Sequence, residues 1–184
     1  GAVPMAHTVA MELRSGVYRF DSSAEAVREA LPSLAFAQPA AREPGPAAAL
    51  DPMVAQARLG APRPEFSSTD RQRRARLGPF QPGTHLYGTG EVSGPLCRNG
   101  TVRICWNSDT PGYGAGTRAL YNSHPWVLVV LPDGRCFGVL ADTTYCLQMD
   151  LRDLALEFTV NPDPEGPTDP LFPGSMHVPV PQTA

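Results

Sequence analysis

The stretch "WVLVVLPDGRCFGVLAD", from Trp126 to Asp142, decides the fold class of this chain. Its first six residues are all apolar, which is typical of a β-strand that is covered on both faces. Pro132 to Gly134 supply turn chemistry, and a second strand-forming run begins at Arg135. Two such runs joined by a short turn predict a β-hairpin.

The β pattern continues on both sides of this hairpin. "VRICW", Val102 to Trp106, is a strand candidate. Apolar residues then alternate with polar ones from Tyr145 to Leu151 and again from Leu154 to Val160. The phase slips by one residue at Arg152–Asp153, which predicts a turn or bulge there. Several short strands with dense turn signals and no long helix predict an all-β fold, an antiparallel β-sandwich.

The rest of the chain divides into segments with weaker patterns. Residues 1–36 contain a strand candidate, Val17 to Phe20, and a short helix candidate that begins at Ser23 and ends before Pro32. Residues 37–79 are rich in Ala, Pro, Gly and Arg, and predict a poorly ordered linker or insertion. Residues 80–160 form the predicted β-sandwich core, and residues 161–184 form a Pro-rich, poorly ordered tail.

Composition limits the classes of partner. The 184 residues carry a net charge of −3, which implies no general attraction to nucleic acid or to an anionic membrane. The basic cluster "DRQRRAR", Asp70 to Arg76, is either a phosphate-contacting patch or, as we expect, a solvated part of the linker. No apolar run approaches the roughly 20 residues of a membrane helix. We therefore expect neither nucleic acid nor a membrane as partner.

The cysteines argue against a metal site. The chain has four, and none is paired as C-x-x-C or lies near histidines at metal-ligand spacing: Cys97, Cys105, Cys136 and Cys146. We expect no metal and no cofactor. Three of the four lie in predicted strands, where a buried free thiol is the usual outcome. This favours a reducing compartment and hence a cytoplasmic location.

The glycine-rich stretch "HLYGTGEVSGPLCRNG", His85 to Gly100, superficially matches a dinucleotide-binding loop. Gly88 and Gly90 fit the G-x-G-x-x-G pattern, but Ser93 stands at the third position. Pro95 and a turn follow instead of a helix whose amides could hold a pyrophosphate. The stretch therefore predicts a glycine-rich connection between strands.

The long polar loop "WNSDTPGYGAGTRALYNSHPW", Trp106 to Trp126, joins two strand candidates, and loops of this length are usually functional or disordered. Its chemistry suits a sugar: Asp109 and Asn107 can hydrogen-bond to vicinal hydroxyls, and Trp106 and Tyr113 can stack on a pyranose ring. The alternative is a surface loop whose Asn and Asp cap turns and whose tryptophans pack in the core.

Four ordered blocks in this region resemble the N-terminal domain of glycoside hydrolase family 31. They are "LYGTGEVSGPL" (86–96), "WNSDTPGYG" (106–114), "LYNSHPWVLVVLPDG" (120–134) and "FGVLADTTY…MDL" (137–151). The chain is most similar to the plant and cyanobacterial α-glucosidase branch, which includes heteroglycan glucosidase-like enzymes. "PSLAFAQPAARE" (32–43) resembles a segment further upstream in that branch.

The resemblance implies a galactose mutarotase-like sandwich that packs on a (β/α)₈ barrel, which cleaves α-glucosidic bonds with retention. It implies that Asp109 helps to line the substrate pocket, with Asn107 and Trp106 as supporting neighbours. The "YGTGE" turn would lie near the domain junction, with Glu91 in a structural role. The implied partners are an α-glucoside or α-glucan substrate and the barrel domain.

The chain departs from the family where catalysis is concerned. Retaining hydrolysis needs two carboxyl groups about 5–5.5 Å apart, and in this family the barrel supplies both. Only 24 Pro-rich residues follow Val160. Ser123 and His124 are adjacent, so they cannot form a nucleophile–base pair, and there is no G-x-S-x-G elbow. We expect no catalytic residue in this chain, and the chain alone to be inactive.

Three interpretations of its function stay open on these grounds. The chain is a fragment of an α-glucosidase, a stand-alone carbohydrate-binding module, or a non-catalytic structural remnant.

Overall fold

The computed structural model describes residues 3–4, 8–23, 48–69, 72–143 and 145–160. Within these ranges it has twelve β-strands and one helix: β1 (Val3–Pro4), β2 (Val9–Arg14), β3 (Val17–Asp21), β4 (Ala48–Leu50), α1 (Pro52–Leu59), β5 (Glu65–Ser68), β6 (Arg73–Leu77), β7 (His85–Gly88), β8 (Val102–Cys105), β9 (Trp126–Val130), β10 (Cys136–Leu140), β11 (Leu147–Asp150) and β12 (Leu156–Val160). All strand pairs are antiparallel, and the all-β fold is confirmed.

The predicted hairpin is β9–β10, with a register that runs from Leu140 opposite Trp126 to Cys136 opposite Val130. Its turn is closed by a hydrogen bond from the Gly134 amide to the Leu131 carbonyl, 3.0 Å long. β7 pairs with the other edge of β9, so these strands form a three-stranded sheet in the order β10-β9-β7.

The two faces of β9 differ, and this corrects the expectation that both are covered. Val127 and Val129 are fully buried on the inner face. On the outer face Leu128 is half-buried, and Trp126 keeps 43% of its surface exposed. The outer face stays open because, in the described ranges, the core packs against the inner face alone.

The second sheet has six strands in the order β1-β5-β6-β12-β11-β8. The predicted phase slip is confirmed as the turn between β11 and β12, where Asp153 and Leu154 adopt left-handed φ angles of 55° and 51°. The two sheets enclose one hydrophobic core. Leu86, Val127 and Val129 come from the small sheet, and the large sheet contributes Leu147, Met149, Leu156 and Phe158. This is the layered arrangement of a sandwich-like domain.

The large sheet begins before residue 80. β5 and β6 lie inside the segment that we interpreted as a linker, and β6 pairs with β12, with Leu77 opposite Leu156. Leu77 is buried in the core, and Ala75 packs against it. Arg76 instead lies 3.7 Å from a Glu157 carboxylate oxygen. Because so many of its residues are arginines, β6 has only a weak alternation of apolar and polar residues, and the sequence pattern did not predict it.

A small third sheet, in the order β3-β2-β4, confirms the strand candidate at Val17 to Phe20. Helix α1, which the sequence pattern did not predict, follows β4. Asp51 caps it by accepting from the Met53 amide at 2.7 Å, and Gly60 ends it in a left-handed conformation. The helix candidate after Ser23, the 32–43 segment and the tail lie outside the described residues. No described helix is long and apolar enough to span a membrane.

We expect the β11–β12 turn to give the fold part of its acid sensitivity. Asp150 accepts hydrogen bonds from the Arg152 amide at 3.0 Å and from Arg152 Nε at 2.9 Å. Hydrogen bonding to the Arg152 side chain lowers the pKa of Asp150. A lowered folded-state pKa gives stability that is present above the unfolded value, about pH 3.9, and is lost as the pH falls below it.

The variant Asp150→Asn should therefore be less stable than the wild type at pH 7, and the two should converge as the pH falls below about 4. Urea unfolding between pH 7 and pH 3 measures this. Arg152→Gln, which removes the partner, should show the same convergence. A stability difference that persists unchanged at pH 3 would contradict the account.

Candidate functional site

The candidate site lies where two loops meet at one end of the small sheet. We call residues 88–96 the glycine loop and residues 106–125, between β8 and β9, the long loop. Gly90 has a φ of 79°, and a Cβ placed on it would lie 2.6 Å from the His124 amide nitrogen and 2.9 Å from the Asn122 carbonyl oxygen. Only glycine allows the two loops to approach so closely. This supports the interpretation of the glycines as a connection between strands.

Glu91 joins the same two loops with a double set of hydrogen bonds. Its Oε2 accepts from the Asn122 amide at 3.0 Å and from Asn122 Nδ2 at 2.9 Å. The Glu91 amide in turn donates to the Asn122 carbonyl at 3.0 Å. A carboxylate held in this way is an anchor for the long loop.

Arg103 on β8 forms hydrogen bonds to the main chain of both loops. Its Nη1 donates to the Thr117 carbonyl at 2.9 Å and its Nη2 to the Ser93 carbonyl at 3.0 Å. The residue is only 4% exposed. Burial lowers the pKa of Arg103, and the charges of Arg98 and Arg118 lower it further. A guanidinium remains charged at neutral pH, so the two carbonyls receive charge-assisted hydrogen bonds.

The contact between the loops leaves an open depression of about 540 Å³ on the surface, which we call the Trp126 depression. It is lined by Gly88, Gly90, Glu91, Asn122, His124 and Trp126. The Trp126 indole lies against two glycines on the neighbouring strands: a Cβ on Gly138 would be 2.8 Å from its Nε1, and one on Gly88 3.1 Å from its Cε3. The two glycines therefore leave room for the indole to lie flat across the sheet, while much of the surface of the ring remains exposed.

Asp109, the central residue of the sequence prediction, is exposed at the surface of the long loop. Its partner is Tyr121. Partial burial, then the charge of Asp109 and a hydrogen bond to its carboxylate, raise the pKa of Tyr121. Glu91 contributes to the same rise through its charge. Glu91 lines the Trp126 depression, and so does Asn122, the residue that follows Tyr121 in the sequence.

The other predicted site residues have different environments. Asn107 is exposed, and its Oδ1 accepts from the Ser123 amide at 2.9 Å, which ties the two ends of the long loop together. Trp106 is half-buried next to it. Tyr113 is 56% exposed near the tip of the loop and does not line the depression. The structure thus groups Asn107 and Asp109 at the base of the loop.

Sequence reasoning missed two residues at this site. Tyr121 was not singled out, although it follows the buried Leu120 and precedes the anchor Asn122. Trp126 was assigned to a covered strand. The signal that could have found it is the pair Gly88 and Gly138, since glycines on neighbouring strands leave room for a large flat side chain.

The site offers no metal centre of its own. In the portions of the chain that the structure describes, no three His, Cys, Asp or Glu side chains converge as metal ligands would.

Part of this region is similar to a known protein family. Residues 79–150 match the glycosyl hydrolase 31 N-terminal galactose mutarotase-like domain. One curated relative, alpha-glucosidase 2 of Bacillus thermoamyloliquefaciens, is 33% identical over 75 residues, which cover 40% of this chain. Those residues span only 9% of that relative's length.

Solved structures of family 31 enzymes show partial similarity. A dextranase of Flavobacterium johnsoniae complexed with glucose is 27% identical, with 52% of this chain and 12% of that chain covered and a TM-score of 0.46. An alpha-glucosidase of Bacteroides thetaiotaomicron is 33% identical, with 48% and 15% covered and a TM-score of 0.38. The family match and the curated relative together support glycoside hydrolase family 31 as the family of the segment from residue 79 to residue 150.

Proposed function

We propose that this chain provides the substrate-pocket domain of an α-glucosidase-type glycoside hydrolase of the plant and cyanobacterial heteroglycan glucosidase-like branch. The observation that carries the proposal is that the long loop, which bears the exposed Asp109 and Tyr121, also lines the Trp126 depression through Asn122 and His124. The four sequence blocks support the branch. Its substrate is an α-glucoside or α-glucan, which the long loop contacts.

The chemistry of the exposed groups fits a sugar. Asp109 offers carboxylate oxygens that accept from vicinal hydroxyls, and Asn107 keeps its Nδ2 as a donor because Ser123 occupies its Oδ1. The accessible indole of Trp126 and the ring of Tyr121 supply flat apolar surface on which the C–H face of a pyranose can stack.

Catalysis is assigned to a (β/α)₈ barrel outside this chain. Glu91 is the acid closest to the depression, but its Oε2 is engaged by two donors of Asn122. These hydrogen bonds hold the Glu91 side chain against the long loop, so that it is not free to reach a leaving group. The nucleophile and the acid/base of a retaining reaction therefore come from the barrel.

The open shape of the depression suits a pocket that a second domain completes. The outer face of the small sheet next to it is apolar, with Leu140 at 42% exposure, Trp126, and the half-buried Leu128. We place the barrel against this face, since exposed apolar patches mark interaction surfaces. The isolated chain should then bind sugar weakly, because part of the pocket wall is absent.

Titration with maltooligosaccharides, followed by tryptophan fluorescence, tests the binding role. We expect Asp109→Asn to weaken binding by at least about tenfold, since a hydrogen bond to a charged group contributes roughly 1.5–3 kcal/mol. The matched control is Asp133→Asn, an exposed acid in the β9–β10 turn at the other end of the hairpin. Its affinity should equal that of the wild type. An equal loss in both variants would contradict a specific role for Asp109.

The same titration addresses the two alternatives. Millimolar binding without release of glucose is expected both of a substrate-pocket domain and of a stand-alone carbohydrate-binding module. Addition of the matching barrel domain separates the two, because it should restore hydrolysis only if the chain is a substrate-pocket domain. A chain that shows no fluorescence change with any maltooligosaccharide would instead favour a structural remnant.

A further inference from the structure

The four cysteines occupy three kinds of environment. Cys105 and Cys146 are buried, and burial raises the pKa of each thiol to about 11. Cys136 lies on the exposed face of β10. Cys97 is half-buried just after the glycine loop. Because the thiolate is the reactive form, Cys105 and Cys146 are inert at neutral pH, and the reactive candidates are Cys97 and Cys136.

Cys97 has a base beside it. Its Sγ lies 3.7 Å from Nδ1 of His85, and its thiol donates a hydrogen bond to Oδ1 of Asn99 at 3.2 Å. His85 is exposed on β7, so the imidazole can exchange protons with water. A histidine within hydrogen-bond reach of a thiol can accept its proton and leave a thiolate next to an imidazolium.

Arg98, the residue after Cys97, is held by the main chain of the glycine loop. Arg98 is only 7% exposed, and its guanidinium donates to the carbonyls of Gly88 and Pro95. Burial lowers the pKa of Arg98, while the charge of Cys97 raises it. An imidazole beside the thiol and a cation on the next residue are features of the electropositive settings in which cysteines become nucleophilic.

Cys136 lacks this setting and provides an internal comparison. It pairs with Val130 on one edge of β9, and His85 pairs with Val130 on the other edge. Two strand spacings separate Cys136 from His85, which is about 10 Å. This distance is too long for a hydrogen bond between the thiol and the imidazole.

We propose that Cys97 is a thiol-modification site that reacts with small disulfides, with His85 as its proton acceptor. The thiol proton passes to His85 Nδ1, and the Cys97 thiolate attacks one sulfur of the disulfide. The S–S bond of the reagent breaks as the new S–S bond to Cys97 forms, and the departing thiolate takes the proton from the imidazolium. The products are a mixed disulfide on Cys97 and one small thiol.

Modification at this position would act on the glycine loop. Asn99, which contacts the Cys97 sulfur, also accepts from the Leu86 amide and donates to the Thr84 carbonyl, both at 2.8 Å. Arg98 holds the Gly88 carbonyl at the edge of the Trp126 depression. A mixed disulfide therefore perturbs the segment that joins β7 to the proposed pocket.

The test is the reaction of the folded 184-residue chain with oxidised glutathione at pH 7, with each modified cysteine located and quantified by peptide mass spectrometry. We expect Cys97 to react at least about tenfold faster than Cys136. His85→Gln should lower the Cys97 rate by about tenfold and leave the Cys136 rate unchanged. Cys136→Ser should leave the Cys97 rate unchanged.

Cys105 and Cys146 report whether each variant is folded, since they should react only after urea is added. The comparison of Cys97 with Cys136 in the wild type stands even where a variant misfolds. A Cys136 rate equal to or above that of Cys97 would overturn the proposal. So would a folded His85→Gln protein whose Cys97 reacts as fast as the wild type.

Discussion

Replacement of Gly90 by alanine is expected to lower the free energy of unfolding by about 3 kcal/mol, the sum of two independent costs. The first is the φ of 79°, which an alanine adopts only with strain. The second is steric: the new Cβ would be 2.6 Å from the His124 amide nitrogen and 2.9 Å from the Asn122 carbonyl oxygen. Both are backbone atoms, so no side-chain rotation relieves the clash, and the long loop has to move.

Gly100→Ala is the matched control for this prediction. Gly100 has nearly the same φ, 77°, but a Cβ at that position has no neighbour within 4 Å. It should cost only the conformational strain, about 1 kcal/mol. Urea unfolding of both variants at pH 7 gives the difference. Equal losses in the two variants would mean that the loops separate easily, and the closely packed site described above would be wrong.

A displaced long loop should also affect ligand binding. Asn122 and His124 line the Trp126 depression, and Asn122 is the residue that Glu91 holds. Gly90→Ala should therefore weaken maltooligosaccharide binding, while Gly100→Ala should leave it unchanged.

The strands that were predicted from the sequence are those whose signal is local. The β9–β10 hairpin and the β11–β12 turn are specified by runs of apolar residues next to turn residues, so a window of about 20 residues contains the whole argument. β6 was missed for the opposite reason. Its arginines hide the alternation, and its place in the sheet depends on β12, about 80 residues away in the sequence.

The same contrast applies to the site. The long loop was singled out from its length and polar composition, and Asp109 from its position in a block that resembles a family. The partner of Asp109, Tyr121, is twelve residues further along the same loop, and nothing in the spacing shows that the loop folds back. Trp126 was misjudged because exposure depends on what covers a strand face, which periodicity does not encode.

The glycine loop illustrates how one motif supports two interpretations. Gly88 and Gly90 fit a phosphate-binding pattern as spacing alone, but their neighbours in space are Trp126 and His124. The glycines therefore serve packing between loops, and the depression that results is lined by an indole, an imidazole, an amide and an acid. Such a lining favours a neutral polar ligand over an anionic phosphate.

The second large effect is expected at Arg103. Arg103→Met should lower the free energy of unfolding by about 3 kcal/mol, because the carbonyls of Thr117 and Ser93 lose charge-assisted hydrogen bonds. Two terms oppose this loss. A methionine needs no desolvation of a charge, and the repulsion from Arg98 and Arg118 disappears. The loss should exceed this gain, since the guanidinium is the contact that joins both loops to β8.

Two further variants separate the hydrogen bonds from the charge. Arg103→Lys keeps the charge, but an ammonium group is a compact point donor that cannot span two carbonyls as the guanidinium fork does. It should recover only part of the lost stability. Arg135→Met removes an exposed arginine paired with Asp133, and it should change stability little. Urea unfolding and maltooligosaccharide titration of all three variants measure these effects.

The order of the three variants in stability and in sugar affinity shows which property of Arg103 matters. If Arg103→Met is as stable as the wild type and binds sugar equally well, the relief of the buried charge balances the hydrogen bonds, and the direct contacts between the loops at Gly90, Glu91 and Ser93 hold them together. If Arg103→Met loses both stability and binding while Arg103→Lys recovers part of the stability but not the binding, the fork geometry sets the position of the long loop. We expect the second outcome, because Thr117 and Ser93 belong to different loops and a bidentate donor binds both carbonyls at once.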